Sequence, residues 1–422
     1  MSRPIAQETI AVAAVRVGMF VYLDVGWMNH PFRLSNFVIE SQEQLAQLQS
    51  LGLKHVRWSP DLSVDPAQEP EVFEAPEPPV ATASAVPLPA PSRGDELARQ
   101  RRSQAVCDSQ FEEAAAVSAR IFGRVQAEPE QARQDTERLA LALTRKMIDD
   151  GPSCIRLLTE SAGDKSALHA VNVSVLSLLL GRALDLTEEQ LVELGTGALL
   201  HDVGKLDLPE AACHADAEMA PADAALYRSH VALGVTRGQK MGLSKGALLV
   251  LAMHHERADG AGFPRRLPGA QMTLPARIVA LVNRYDGLCN PHWPSSAITP
   301  HEAVARLFAR EKDAFEPELL ASFVRLVGVF PPGSMVQLSD DRFAMVTSVN
   351  PQRPLKPRLL IHDPKRRAEE GVLTDLERTP RLNIVRSIAP RAMPRSVRED
   401  LVPRQRISYF WEPLAAESTG AL

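Results

Sequence analysis

Histidine is sparse in this chain of 422 residues, with 11 in all, yet five fall where they could converge: His169, His201, His230, His254 and His255. Asp202 follows His201 directly, and Lys205 comes after Val203 and Gly204. Neutral imidazoles offer borderline-soft nitrogen to divalent metals, and a carboxylate can bridge two cations through its two oxygens. The ammonium of Lys205 can meet a phosphate oxygen. A single histidine near an apolar face is usually a core or surface residue, and a His doublet before a glycine-rich loop can be a helix cap. No structural role explains the ordered set His169, His201-Asp202-x-x-Lys205, His230 and His254-His255-Glu256 taken together.

The surrounding pattern says which elements must carry these residues. His201-Asp202 closes the apolar run 191–200, so an imidazole and a carboxylate leave one helix end side by side, where Gly204 lets the backbone turn. His254-His255 closes a second apolar helix and enters a loop, Glu256 to Pro264. Its glycines permit close backbone approach and its proline stiffens the exit. Residues 164–329 read as successive amphipathic helices with short connections. Two start on capping boxes, Thr187 with Gln190 and Thr299 with Pro300 and Glu302.

His201-Asp202-Val203-Gly204-Lys205 and His254-His255-Glu256-Arg257-Ala258-Asp259-Gly260-Ala261-Gly262-Phe263-Pro264 resemble the HD-GYP branch of the HD phosphohydrolase superfamily. Val17-Gly18-Met19-Phe20-Val21 and Trp27-Met28-Asn29-His30-Pro31-Phe32 are similar to an uncharacterised domain often found ahead of it. The resemblance implies an all-helical catalytic domain with two, sometimes three, iron or manganese ions. Its activity would be hydrolysis of cyclic di-GMP to linear pGpG and/or GMP. The implied metal ligands are His169, His201, Asp202, His230, His254 and His255, with Asp202 and Lys205 catalytic. Lys205, Arg265 and Arg266 would hold the substrate.

Four positions depart from that pattern. The family's D-x-Y/F-D-A-L run reads Asn283-Arg284-Tyr285-Asp286-Gly287-Leu288, which puts a neutral amide, Asn283, in a ligand's place. The R-P-Y-R/K run that holds phosphates is replaced by His292-Trp293-Pro294-Ser295-Ser296, without the permanent charge of an arginine. Lys165 stands where some members carry a third-metal glutamate, so two divalent metals are expected, iron or manganese. Phe263 replaces the name-giving tyrosine. An alternative reading is a degenerate HD-GYP-like regulatory module that binds cyclic di-GMP or a signalling partner such as a diguanylate cyclase. A third is hydrolysis of another phosphoester by the same metal pair.

The whole chain reads as mainly α. The expected divisions are a small α+β module at 1–60, a Pro/Ala-rich linker at 61–94, a helical connector at 95–150, the catalytic domain at 151–329, and a small β module with a poorly patterned tail at 330–422. The connector could carry a coiled-coil homodimer. Period-two alternation predicts strands at 334–338, 343–349 and 357–361. A net charge of -5 argues against broad adhesion to DNA or anionic lipid. Cys107, Cys154, Cys213 and Cys289 form no C-x-x-C pair and read as free thiols of a reducing compartment. No leader segment is recognised, nor an apolar run near the ~20 residues that span a bilayer. The expectation is a cytoplasmic bacterial signalling hydrolase with no membrane contact.

Overall fold

Short alternating runs can cover only one face of a sheet, and near the N-terminus four of them pair antiparallel. They are β1 (Glu8–Ala11), β2 (Phe20–Tyr22), β3 (Asn36–Val38) and β4 (His55–Ser59), in the order β1-β4-β2-β3. Helix α1 (Gln42–Ser50) precedes β4 and starts where the Ser41 side chain accepts from the Gln44 amide. Val21, Ile39, Leu48 and Val56 form the core of this layer, and Phe32 packs on it. Trp27 is buried as well.

The computed structural model describes residues 8–27, 30, 32, 36–63, 93–159, 163–214, 219–364, 372–402 and 406–414. Met28, Asn29, Pro31 and most of the expected linker lie outside the described residues. The chain divides into two units, Met1–Gln100 and Arg101–Leu422.

Two charged, alanine-rich helices follow, α2 (Arg93–Arg124) and α3 (Pro129–Asp149). They are not an exposed connector. Phe111 and Ile121 of α2 are buried, and Leu139, Ala140, Leu143 and Met147 put one face of α3 into the core, where it packs on α5. After the strand β5 (Ser153–Leu157), α4 (Lys165–Ala183) begins at Asp164, whose side chain accepts from the Ala167 amide. Nearly every residue from Ala167 to Gly181 is buried, which makes α4 the central helix. It packs against α5 (Glu188–Leu200), α8 (Leu274–Cys289) and α10 (Pro317–Val327). Helix α5 also meets α7 (Lys245–Met253), and α6 (Pro221–Met241) meets α7 and the 3-10 turn Val203–Asp207. Both capping boxes form, at α5 and at α9 (Pro300–Arg310).

By length and composition α4 could cross a membrane, which corrects the expectation that no apolar run comes near that size. Its most apolar window is 78% buried inside the fold.

The strands predicted after residue 330 appear as β6 (Met335–Leu338), β7 (Phe343–Val349) and β8 (Arg358–Ile361). Ala344 and Val346 point into one core cluster, and Met345 and Phe343 pack on another. The end of the chain is more ordered than its pattern suggests, with β9 (Val372–Asp375), β10 (Ile384–Ser387), α11 (Arg395–Leu401) and β11 (Tyr409–Pro413). Residue 330 does not separate two units. β11 pairs antiparallel with β5 along its whole length, and β5 also pairs with β7. The helical part and the β module therefore share one sheet.

A buried ion cluster fixes that junction. Glu412 of β11 accepts from Arg156 Nε of β5 at 2.5 Å and from Ser103 Oγ of α2 at 2.8 Å. Arg358 of β8 pairs with its other oxygen. Removing one member of a buried cluster strands the remaining charges, which costs about 3–5 kcal/mol. Glu412→Ala is therefore expected to lower the unfolding free energy of this unit by that order, seen as a fallen denaturant midpoint in the fluorescence of the neighbouring Trp411. An unchanged midpoint would show that water reaches the two guanidinium groups.

Candidate metal centre

Three of the five histidines use one local device. His201 caps the end of α5, His230 lies within α6, and His254 caps α7. Each donates from Nδ1 to the carbonyl three residues earlier: to Ala198 at 2.7 Å, Tyr227 at 2.5 Å and Leu251 at 2.8 Å. A proton at Nδ1 fixes the tautomer and leaves the Nε2 lone pair free. His169 of α4 differs. Its Nδ1 donates to the carboxylate of Asp286, on α8, at 2.6 Å.

The free nitrogens converge. Nε2 of His169 lies 3.1 Å from Nε2 of His201, and Nε2 of His230 lies 3.2 Å from Nε2 of His254. Asp202 stands between the pairs. Its Oδ2 is 3.6 Å from His169 and 3.5 Å from His201, while Oδ1 is 3.5 Å from His230 and 3.8 Å from His254. His169, His201 and Asp202 form one group of potential ligand atoms, and Asp202, His230, His254 and His255 form another, each within 4.8 Å. Facing lone pairs repel one another, and Oδ1 of Asp202 is buried without a hydrogen-bond partner. An orphaned carboxylate oxygen among unprotonated nitrogens fits a site that could hold divalent metal, and the donor set is nitrogen and oxygen.

Charge follows the same plan. Burial would raise Asp202, but the Lys205 ammonium and the surrounding imidazoles hold its carboxyl well below the usual range. Burial opposes the charge on Lys205, and Asp202, with Oδ2 at 2.6 Å, more than restores it. Burial, with neighbouring positive groups, pushes His201 down to about 4 and holds His254 and His255 well below the ordinary histidine value.

Two close approaches set the backbone. A Cβ on Gly204 would lie 1.9 Å from the His230 carbonyl oxygen, so only glycine lets the turn carrying Asp202 and Lys205 sit against α6. A Cβ on Gly262 would lie 2.5 Å from Glu256 Cα. Glu256, buried, accepts from the amides of Arg265 at 2.7 Å and Leu267 at 2.9 Å, which folds the signature loop back on itself. Phe263 stacks on His255 at 4.4 Å, and the Tyr227 hydroxyl lies 3.4 Å from His255 Nε2, within hydrogen-bond reach.

Other residues singled out by sequence make no side-chain hydrogen bond to this cluster among the described residues. The Asn283 side chain makes no hydrogen bond among the described residues. Arg265 and Arg266 are exposed without side-chain partners among them, and Lys165 is exposed at the start of α4. His292 stacks on His214 at 3.5 Å. Sequence reasoning passed over Asp286, three residues beyond Asn283, whose partner His169 lies 117 residues away on another helix. Asn172 and Tyr227 were also missed. Each stands three residues from a ligand candidate on its own helix, which is the one available signal.

Two expectations follow. Because His201 stays neutral to about 4 when folded and protonates near 6.5 when unfolded, the unfolded chain binds more protons in that window. Stability of the metal-free protein then falls as pH falls from about 7 to about 5. Thermal unfolding at several pH values should show this, and a flat midpoint would mean that the imidazoles are solvated. Gly204→Ala should also lose bound metal, measured elementally, while unfolding remains cooperative. Full retention would mean that the turn can move without disturbing Asp202.

Residues 130–319 match the HD domain, residues 7–136 a domain of unknown function (DUF3391), and residues 335–396 a KOW domain associated with the HD domain. The cyclic di-GMP phosphodiesterase PA4108 of Pseudomonas aeruginosa is 29% identical over 366 residues, 84% of either chain. The cyclic di-GMP phosphodiesterase response regulator RpfG of Xanthomonas campestris is 27% identical over 222 residues, 52% of this chain and 54% of that one. Among solved structures, Bd1817, an HDG"Y"P protein from Bdellovibrio bacteriovorus, aligns with a TM-score of 0.41 at 16% identity. That alignment covers 75% of this chain and 98% of the other.

Proposed function

We propose, from the premise that this chain is an HD-GYP protein of the HD domain family, that it is a metal-dependent phosphodiesterase which opens cyclic di-GMP to linear pGpG and/or GMP. One observation carries the reading: a single carboxylate, Asp202, faces one imidazole pair with each of its oxygens. The names of the relatives above support the substrate.

His169, His201 and Asp202 would hold one cation, and Asp202, His230, His254 and His255 the other. When bound, the cations supply an activated water near neutral pH and neutralise charge on the phosphate. The chain's own residues do the rest. Nδ1 protons held by carbonyls keep three imidazoles from turning away. Lys205, a quarter exposed, keeps its proton and offers N–H to a non-bridging phosphate oxygen. Arg265 and Arg266 extend from the loop clamped by Glu256 and are free to take the second phosphate. Asn283 would contribute a neutral oxygen to one cation, leaving that position one charge short.

Asn283 and the run at His292-Trp293 favour a second reading, a module that binds cyclic di-GMP or a signalling partner such as a diguanylate cyclase without turnover. Anaerobically purified protein with Fe(II) or Mn(II) should hydrolyse cyclic di-GMP, Asp202→Ala should not, and Lys205→Ala should lower kcat by about a hundredfold. Bound metal with no linear product would sink the enzyme and leave the binding module.

A further inference from the structure

We infer that the start of β11 and the segment leading into it are a working part of this metal centre: Arg406, Ile407 and Tyr409 hold Asp286, and Asp286 aims His169 at its cation. The inference rests on the metal-binding part of the proposed function and is independent of the substrate.

Asp286 is buried and takes four donors. Oδ2 accepts from His169 Nδ1 at 2.6 Å and from the Arg406 guanidinium at 3.2 Å. Oδ1 accepts from Asn172 Nδ2 at 2.6 Å and Asn290 Nδ2 at 2.8 Å. Both amides are themselves fixed by the approach to β11. The Asn172 Oδ1 accepts from the Tyr409 amide at 2.8 Å, and its Nδ2 also reaches the Ile407 carbonyl at 3.3 Å. Asn290 exchanges two bonds with Ile407, its Oδ1 accepting at 2.7 Å and its Nδ2 donating at 2.8 Å. On α8, the neighbouring Tyr285 shares a hydroxyl bond of 2.8 Å with Tyr409. Every donor to Asp286 other than His169 is therefore held by, or belongs to, residues 406–409.

Satisfying buried polar groups explains some of these bonds, but it does not explain why His169 differs. The three imidazoles with a local acceptor carry their own orientation within one helix. His169 takes its orientation from a carboxylate on another helix, and that carboxylate takes its own from the segment leading into β11, 120 residues further along at Arg406. A carboxylate behind a ligating imidazole both orients the ring and raises its basicity, and losing such a partner weakens metal binding by about 10–100-fold. The effect must be local to one cation, since His230, His254 and His255 make no contact with this network among the described residues. Arg406 is thus a positioning residue.

The test is a Mn(II) titration of the metal-free full chain, read from the signal of unbound Mn(II) and paired with a thermal melt of each metal-free variant. The unsubstituted protein should take two ions. Arg406→Ala should keep one at unchanged affinity and bind the other about 10–100-fold more weakly, while Arg406→Lys, which retains a charged donor to Asp286, should recover most of the loss. Two sites of unchanged affinity in Arg406→Ala would overturn the inference. So would equal weakening of both sites with a fallen melting midpoint, or an Arg406→Lys variant no better than alanine. Absence of Mn(II) binding in the unsubstituted chain would bring down the metal centre itself. Two normal ions with no hydrolysis of cyclic di-GMP would remove only the substrate.

Discussion

Four imidazole nitrogens point their lone pairs at one carboxylate, and in the absence of positive charge that arrangement repels itself. Everything around it keeps those groups from relaxing. Two of the histidines cap apolar helices, so the burial that holds α5 and α7 in the core also holds His201 and His254. His230 rides on α6, which reaches Asp202 only because Gly204 has no side chain. Lys205 bonds Oδ2 and leaves Oδ1 bare. The carboxylate is thus divided before any ligand arrives, one oxygen shared with an ammonium and the other facing nitrogen alone.

Much of this could be read from sequence, for a local reason. A helix that ends in His-Asp or His-His announces both the end and the chemistry, and the five histidines supply their own spacing. The capping boxes at Thr187 and Thr299 and the alternation of β6 to β8 are equally local. What escaped was non-local. Arg156 makes 153–157 look like an unlikely buried strand until Glu412, far along the chain, supplies its counter-charge. The charged surface of α3 hides an apolar stripe whose partner, α5, lies beyond an intervening helix. Glu256 reads as part of a signature, yet its work is to tie two backbone amides of its own loop.

Asp286 shows how a substitution can mislead. Asn283 marks the family's altered position, and it invites the conclusion that α8 has lost its acidic contribution. The same helix still presents a buried carboxylate one turn later, ionised because His169 and Arg406 outweigh the cost of burial. Its contribution has the form of an acceptor behind an imidazole. A helix can therefore keep an acidic part in orienting a histidine of its neighbour where its changed position carries only a neutral amide.

The joining of β11 to β5 also sets an order of events during synthesis. Helices α4 to α8 leave the ribosome well before residue 406, and they can collapse on their apolar faces as soon as they emerge. Until the last strand arrives, the amides of Asn172 and Asn290 have no backbone to grip, and Asp286 lacks its guanidinium. The nascent chain then holds one set of imidazoles already aimed by their own helices and one histidine still waiting. The imidazoles of the His230 side are therefore aimed first, and Asp286 behind His169 gains its partners only once residues 406–409 have been made.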